Sequence, residues 1–244
     1  MPTLELPNWK DLVRGLVHLI YPSLCVGCAA DLPSPHTCFC IRCQRRLQPT
    51  DMHWQMENAF TDRFWGRLPL ESGAAMYYFN QKSPVQKALH QLKYRNQADI
   101  GVRIGRRYGA LLAQSPLFQR VEVILPVPLH PLKERLRGYN QSAMLAAGLA
   151  ESLNVPVLQG VLVRNQHSAS QTRQKRMDRF GNVNEVFALR RAQRIQGKHV
   201  LLVDDVLTTG ATLEACGKVL LEAYGVRLSM ATIAIAIHSS MPAP

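Results

Sequence analysis

The spacing of apolar residues changes character near residue 73. Before it, Trp9, Leu12, Val13, Leu16, Val17 and Ile20 recur at helical spacing, with Lys10, Asp11, Arg14 and His18 facing away. That pattern predicts an amphipathic helix stopped by Pro22. Residues 22–50 are rich in Cys, Pro and Ser and show no period, and residues 51–72 read as a weakly patterned connector. From Gly73 onward, short apolar runs alternate with helical patterns. The run Ala-Ala-Met-Tyr-Tyr-Phe ending at Asn80 predicts a strand, and Ser83–Pro84 marks a helix start, with Pro in the first turn. Residues 98–114 predict a second helix, with Ile100, Ile104, Tyr108, Leu111 and Leu112 on one face. A buried-type strand over Val121–Val127, a helix over 140–153, a strand over Lys198–Val203, a helix from about Ala211 to Tyr224 and a last strand over Arg227–Ile235 complete the series. Strands this short and continuously apolar, separated by helices, predict an α/β fold with a mostly parallel sheet covered on both faces.

Composition sharpens the division. The chain has 244 residues, 47% of them hydrophobic, with 29 Lys and Arg against 17 Asp and Glu. It is too apolar for a disordered polycation. Residues 1–72 hold 7 basic and 7 acidic side chains, so the formal charge of +12 belongs to residues 73–244. We therefore expect two units, a small one over 1–72 and a larger one over 73–244. No run approaches the roughly 18 apolar residues of a membrane span. The opening residues carry Glu5 and Asp11 where a secretory leader would be basic. A cytoplasmic, reducing location is expected, in which clustered cysteines favour metal over disulfides.

Five of the six cysteines lie between Cys25 and Cys43. Cys25-x2-Cys28 and Cys40-x2-Cys43 are two short knuckles, each able to present two thiolates from a tight turn to a tetrahedral structural zinc. Four thiolates leave no open position for catalysis, and the metal would stand in for a core that the segment lacks. Cys38 and His36 lie inside the loop and are alternatives for one ligand. Cys216, among Leu213, Val219 and Leu220, reads as a buried small hydrophobe.

The most informative stretch runs from Val200 to Leu213, VLLVDDVLTTGATL. A buried strand ends in Asp204 and Asp205, and a Thr/Gly loop then enters a helix. This is the carboxyl edge of a parallel sheet, where ligands bind. Backbone N–H groups of Thr208, Thr209, Gly210, Ala211 and Thr212, with the positive end of the helix dipole, suit a phosphate. Two carboxylates beside a phosphate must face something else, such as sugar hydroxyls or a cation. A sugar phosphate is the ligand this chemistry favours. The Gly-Lys-Ser/Thr ending of a Walker loop is absent.

Val200–Leu213 resembles the phosphoribosyl-pyrophosphate (PRPP) motif of type I phosphoribosyltransferases. The whole chain resembles the ComF/GntX group of competence-associated proteins, in which a four-cysteine zinc finger precedes a phosphoribosyltransferase-like domain. The resemblance rests on Tyr21-Pro22 before the first knuckle, Leu92-Lys93-Tyr94-Arg95, Pro126-Val127-Pro128-Leu129-His130, Arg137-Gly138-Tyr139-Asn140-Gln141, and Arg164, Gln171, Arg179, Asn182 and Phe187. It implies a type I phosphoribosyltransferase-like parallel sheet flanked by helices, with a small N-terminal zinc-ribbon-like module. It also implies that Asp204 and Asp205 hold the ribose hydroxyls with Mg²⁺ close by, and that Thr208–Thr212 enclose the 5′-phosphate. The loop Val127–Arg137 would face pyrophosphate, with His130, Lys133, Arg135 and Arg137 as its cations. Thr208 stands where some purine-salvage relatives carry an Asp near the acceptor base, and a Thr is no base near neutral pH; orotate-type relatives also have Thr there. No acceptor-binding hood is recognisable.

The basic stretch 164–198 holds nine basic and two acidic residues. Its Arg173, Lys175, Arg176 and Arg179 are candidates for single-stranded nucleic acid, with only Phe180 and Phe187 interleaved as stacking platforms. A polyanionic PRPP pocket would use the same charge. The resemblance implies a role in natural transformation, handling incoming single-stranded DNA beside partners such as a helicase or a recombination mediator. Two alternatives stay open: Mg²⁺-dependent transfer from PRPP to an acceptor, and a zinc-finger interaction protein.

Overall fold

The computed structural model describes residues 23–34, 37–94, 97–165 and 186–236. The amphipathic pattern of residues 9–20, His36, and Arg173, Lys175, Arg176 and Arg179 lie outside them. In chain order the described helices are α1 (Ile41–Gln44), α2 (Pro84–Tyr94), α3 (Ala98–Gln114), α4 (Pro131–Arg137), α5 (Gln141–Leu153) and α6 (Ala211–Leu221). The strands are β1 (Ser72–Phe79), β2 (Val123–Pro126), β3 (Leu162–Arg164), β4 (Phe187–Leu189), β5 (His199–Leu207) and β6 (Arg227–Ala236).

Four strands form one parallel sheet in the order β1-β6-β5-β2, and Val157 adds a parallel bridge to Ile124 beyond β2. All of β2, β5 as far as Val203, and β6 from Leu228 to Ile235 are buried without alternation. Side chains point to both faces of a strand in turn, so unbroken burial means that both faces are covered. The layer of α3 and α5 comes very close: a Cβ built on Gly148 would lie 2.1 Å from the Val102 carbonyl oxygen, and one on Gly105 2.4 Å from that of Leu145. Only glycine permits that approach.

Three expectations are corrected. The strand expected over Lys198–Val203 does not stop before the carboxylates but runs on to Leu207, because β6 is long enough to pair Asp204 with Thr232, Val206 with Ala234 and Leu207 with Ile235. Residues 51–72 are more than a connector. They make two 3-10 turns, Met52–Trp54 and Thr61–Phe64, and place Met52, Phe60 and Phe64 in the core. The supposed loop Val127–Arg137 contains α4, started by Pro131 behind the N-cap His130 and ended by Gly138 at φ 78°. The antiparallel ribbon of β3 and β4 had no periodic signal, each strand being three residues long.

Candidate functional site

The carboxyl edge of β5 gathers the site. Asp204 Oδ1 accepts from the Ser142 hydroxyl at 2.8 Å and from the Asp205 N–H at 2.9 Å. Ser142 is placed by α5, whose N-cap Asn140 accepts from the Ser142 N–H at 3.0 Å and donates to the Val127 carbonyl at 2.9 Å. Asp205 is 4% exposed. Its Oδ2 lies 2.6 Å from Lys93 Nζ at the end of α2, and it accepts no directed hydrogen bond. Burial, reinforced by the Asp205 charge, pushes the Asp204 carboxyl up to about 7, against the hydrogen bonds of Ser142 and the Asp205 backbone and the Lys93 charge. A divalent cation would offset the repulsion between the two adjacent carboxylates that helps raise Asp204, so the pair fits one.

Beginning three residues after Asp205, the stretch Thr208–Thr212 turns into α6. Gly210 is its N-cap at φ +85°, a conformation that side-chain-bearing residues rarely adopt, and a Cβ there would meet the Phe64 ring at 3.2 Å. Thr208, Thr209, Ala211 and Thr212 are exposed, leaving the first turn of α6 open to an anion. Arg63 holds the loop from behind, donating to the carbonyls of Thr208 at 2.6 Å and Ala236 at 2.8 Å. Arg67 pairs with Glu214 of α6 at 2.7 Å.

On the other side of the acidic pair, Lys93, Tyr94, Lys133, Arg135, Leu136 and Arg137 line an open cleft of about 830 Å³. Three of the four residues expected to face pyrophosphate are there. His130 is not among the lining residues; its Nδ1 caps α4 by accepting from the Leu132 N–H at 3.2 Å. Lys93, Ser142 and Arg63 were not singled out from the sequence. Lys93 and Ser142 lie in or next to blocks quoted for the resemblance, but nothing in the sequence says that they face Asp205 and Asp204. Arg63 carried no signal at all, because its segment is unpatterned.

The sulfurs of Cys25, Cys28, Cys40 and Cys43 all lie within 4.8 Å of one another, with Cys28 and Cys40 3.5 Å apart. Tetrahedral zinc–thiolate bonds of about 2.3 Å place sulfurs a little under 4 Å apart, so the cluster is compatible with a structural zinc. The Cys43 backbone N–H, helped by the neighbouring thiols, pulls the Cys40 thiol down to about 7, whereas burial and the same neighbours push the Cys43 thiol up; the sulfur geometry is what carries the metal reading. Cys38 is buried outside the cluster, and its thiol is pushed up to about 11 by that burial. Cys216 is fully buried in α6, as expected.

Comparison with known proteins agrees with this architecture. The phosphoribosyl transferase domain profile matches residues 140–242. A DNA utilization protein, YhgH, of Salmonella typhi is 30% identical over 207 residues, covering 82% of this chain and 78% of that protein. The chain belongs to the ComF family. Competence protein F of Haemophilus influenzae is 28% identical over 212 residues, 85% of this chain and 88% of that protein. Competence protein ComFC of Bacillus subtilis is 24% identical over 217 residues, 87% and 85% of the two chains. The ComF-family chain thus has an α/β phosphoribosyltransferase-type domain preceded by a four-cysteine cluster. No helix among the described residues is long and apolar enough to cross a membrane.

Proposed function

We propose that this ComF-family chain binds PRPP or a related sugar phosphate together with Mg²⁺ and serves natural transformation, handling incoming single-stranded DNA in the cytoplasm. In this reading Asp204 and Asp205 receive the ribose hydroxyls and the cation. Thr208, Thr209, Gly210, Ala211 and Thr212 enclose the 5′-phosphate, and Lys133, Arg135 and Arg137 face the pyrophosphate. The supporting observation is the juxtaposition at one sheet edge of an acidic pair, half-buried at Asp204 and buried at Asp205, an exposed helix N-terminus and a cationic cleft. The names of the relatives, competence protein and DNA utilization protein, support the cellular role. The four-cysteine segment, packed against α2, would form a zinc module on which a helicase or recombination mediator docks, and Arg173, Lys175, Arg176 and Arg179 would contact the strand. The Mg²⁺ supplies charge neutralisation between sugar and phosphates. The chain's own residues orient the ligand: Ser142 fixes Asp204, and Arg63 fixes the loop.

PRPP with Mg²⁺ should raise the melting temperature. A ligand at 100 times its Kd adds about 2.7 kcal/mol, roughly 5–11 °C for a chain of this size. The double variant Asp204→Asn, Asp205→Asn should show no such rise. A wild-type protein whose melting temperature ignores PRPP would remove the pocket from the proposal. Adding single-stranded DNA in competition then shows whether the two ligands share a face, and DNA affinity should fall steeply with salt.

A further inference from the structure

The sugar-phosphate reading uses Asp205 but leaves Lys93 without a role. Lys93 Nζ lies 2.6 Å from Asp205 Oδ2, in a pair whose side chains are only 25% and 6% exposed. The helix that carries Lys93 is tied down along its length. Lys87 donates to the Gly27 carbonyl at 3.0 Å and Gln91 to the Val26 carbonyl at 2.8 Å, both inside the first Cys-x2-Cys knuckle. A Cβ on Gly27 would come within 3.2 Å of Pro84 Cβ, so knuckle and helix start are in close contact. At the other end, the Tyr139 hydroxyl donates to the Leu92 carbonyl at 2.6 Å, and the Arg137 guanidinium lies 5.5 Å from the centre of the Tyr94 ring. Val85, Ala88, Leu89 and Leu92 bury the remaining face. The ammonium is therefore delivered to the carboxylate by a fixed helix, and only its four-carbon stem is free to turn.

We propose that Lys93 is a tethered counter-ion: it fills the cation position at Asp205 in the ligand-free protein and is displaced when the divalent cation arrives with its sugar phosphate. This rests on the sugar-phosphate reading of the acidic pair. An ammonium and a divalent cation cannot both sit about 3 Å from one carboxylate oxygen without strong repulsion. Lys93 also lines the cleft with Lys133, Arg135 and Arg137. A pyrophosphate group entering there offers the displaced ammonium a new anionic partner, whereas a free metal ion offers none. The arrangement thus discriminates against bare cation and admits the metal–phosphate complex.

Manganese binding measured by electron paramagnetic resonance, on the zinc-loaded full chain without PRPP, tests this directly. Lys93→Met should bind Mn²⁺ about tenfold more tightly than wild type, since no ammonium has to leave. Lys93→Arg, which keeps the charge, should stay near wild type, and adding Asp205→Asn to Lys93→Met should abolish the gain. Lys93→Gln provides the same comparison should the Met variant not fold. With PRPP present, wild-type Mn²⁺ affinity should rise more than that of Lys93→Met. Neutral variants that bind Mn²⁺ no better than wild type would overturn the proposal. A gain in Mn²⁺ affinity without any PRPP-dependent melting shift in wild type would instead overturn the sugar-phosphate reading and leave the Lys93–cation exchange standing.

Discussion

Replacing Asp204 by Asn removes a charge while keeping the shape of the side chain. The Asn Oδ1 can still accept from the Ser142 hydroxyl and the Asp205 N–H, the two donors that Asp204 Oδ1 has now. The wild-type carboxyl is pushed from 3.8 up to about 7, first by burial and then by the adjacent Asp205 charge. At about 1.36 kcal/mol per pH unit, that difference amounts to about 4 kcal/mol against the charged form. Asp204 is half-buried and shares its charge balance with Asp205 and Lys93, so a net effect of about 1–2 kcal/mol is the reasonable expectation. The sign follows from the raised folded-state value. The folded protein holds this proton more tightly than the unfolded chain does, so wild-type stability from this group is complete below pH 3.8 and is lost as the pH rises through about 7. Asp204→Asn should therefore melt higher than wild type at pH 8, by about 2–8 °C, with about two-fifths of that gain at pH 5. The same variant should lose the melting rise with PRPP and Mg²⁺. Thermal unfolding of ligand-free wild type and variant at the two pH values checks it. A variant less stable than wild type at pH 8, or equally favoured at both pH values, would show that the acidic pair is not held under charge strain.

Other perturbations have equally definite outcomes. Metal analysis should find about one zinc per chain, and Cys28→Ser should lower that content together with the melting temperature; a fully folded, zinc-free wild type would contradict the knuckle geometry. Arg63→Leu should remove the donor to the carbonyls of Thr208 and Ala236, at a cost of about 0.5–1.5 kcal/mol in urea unfolding, and should weaken PRPP binding without touching the acidic pair. His199 is 2% exposed, with Nε2 on Ser229 and Nδ1 unpartnered, and burial together with Arg227 lowers its pKa. Its contribution is therefore intact above about pH 6.5 and lost as the pH falls below it. In the Asp204→Asn background the fall in melting temperature between pH 7 and 5.5 should flatten on His199→Gln; an unchanged slope would exclude His199 as its source. Gly148→Ala should cost about 1–3 kcal/mol or more by forcing α3 and α5 apart, read as a lower urea midpoint at unchanged m-value.

Much of the layout is legible along the chain. Residues 98–114 announce their helix because it buries one face at the helical period, residues 140–153 announce theirs by their Ala and Leu content, and the buried strands announce themselves because both faces are covered. The acidic pair and the Thr/Gly loop are legible because all their parts are consecutive. Helix α4 was missed although Pro131 and Gly138 bracket it: none of its residues is buried, so no apolar period marks it. The contribution of residues 51–72 was missed because Phe60 and Phe64 enter the core from 3-10 turns, which have no repeating face.

What the sequence by itself determined are the properties carried by neighbours in the chain: two cysteine knuckles, an acidic pair before a phosphate-type loop, an alternating α/β order, and a charge confined to residues 73–244. What only the tertiary structure decided is which distant groups meet. Four sulfurs from two knuckles converge while Cys38 stays outside. Ser142, 62 positions away, takes Asp204, and Lys93 takes Asp205. Arg63, 145 positions away, clamps Thr208. These contacts depend on a parallel sheet whose crossovers return every carboxyl strand end to one edge. A linear pattern records what each segment buries, but not which charge the folded sheet will set opposite it.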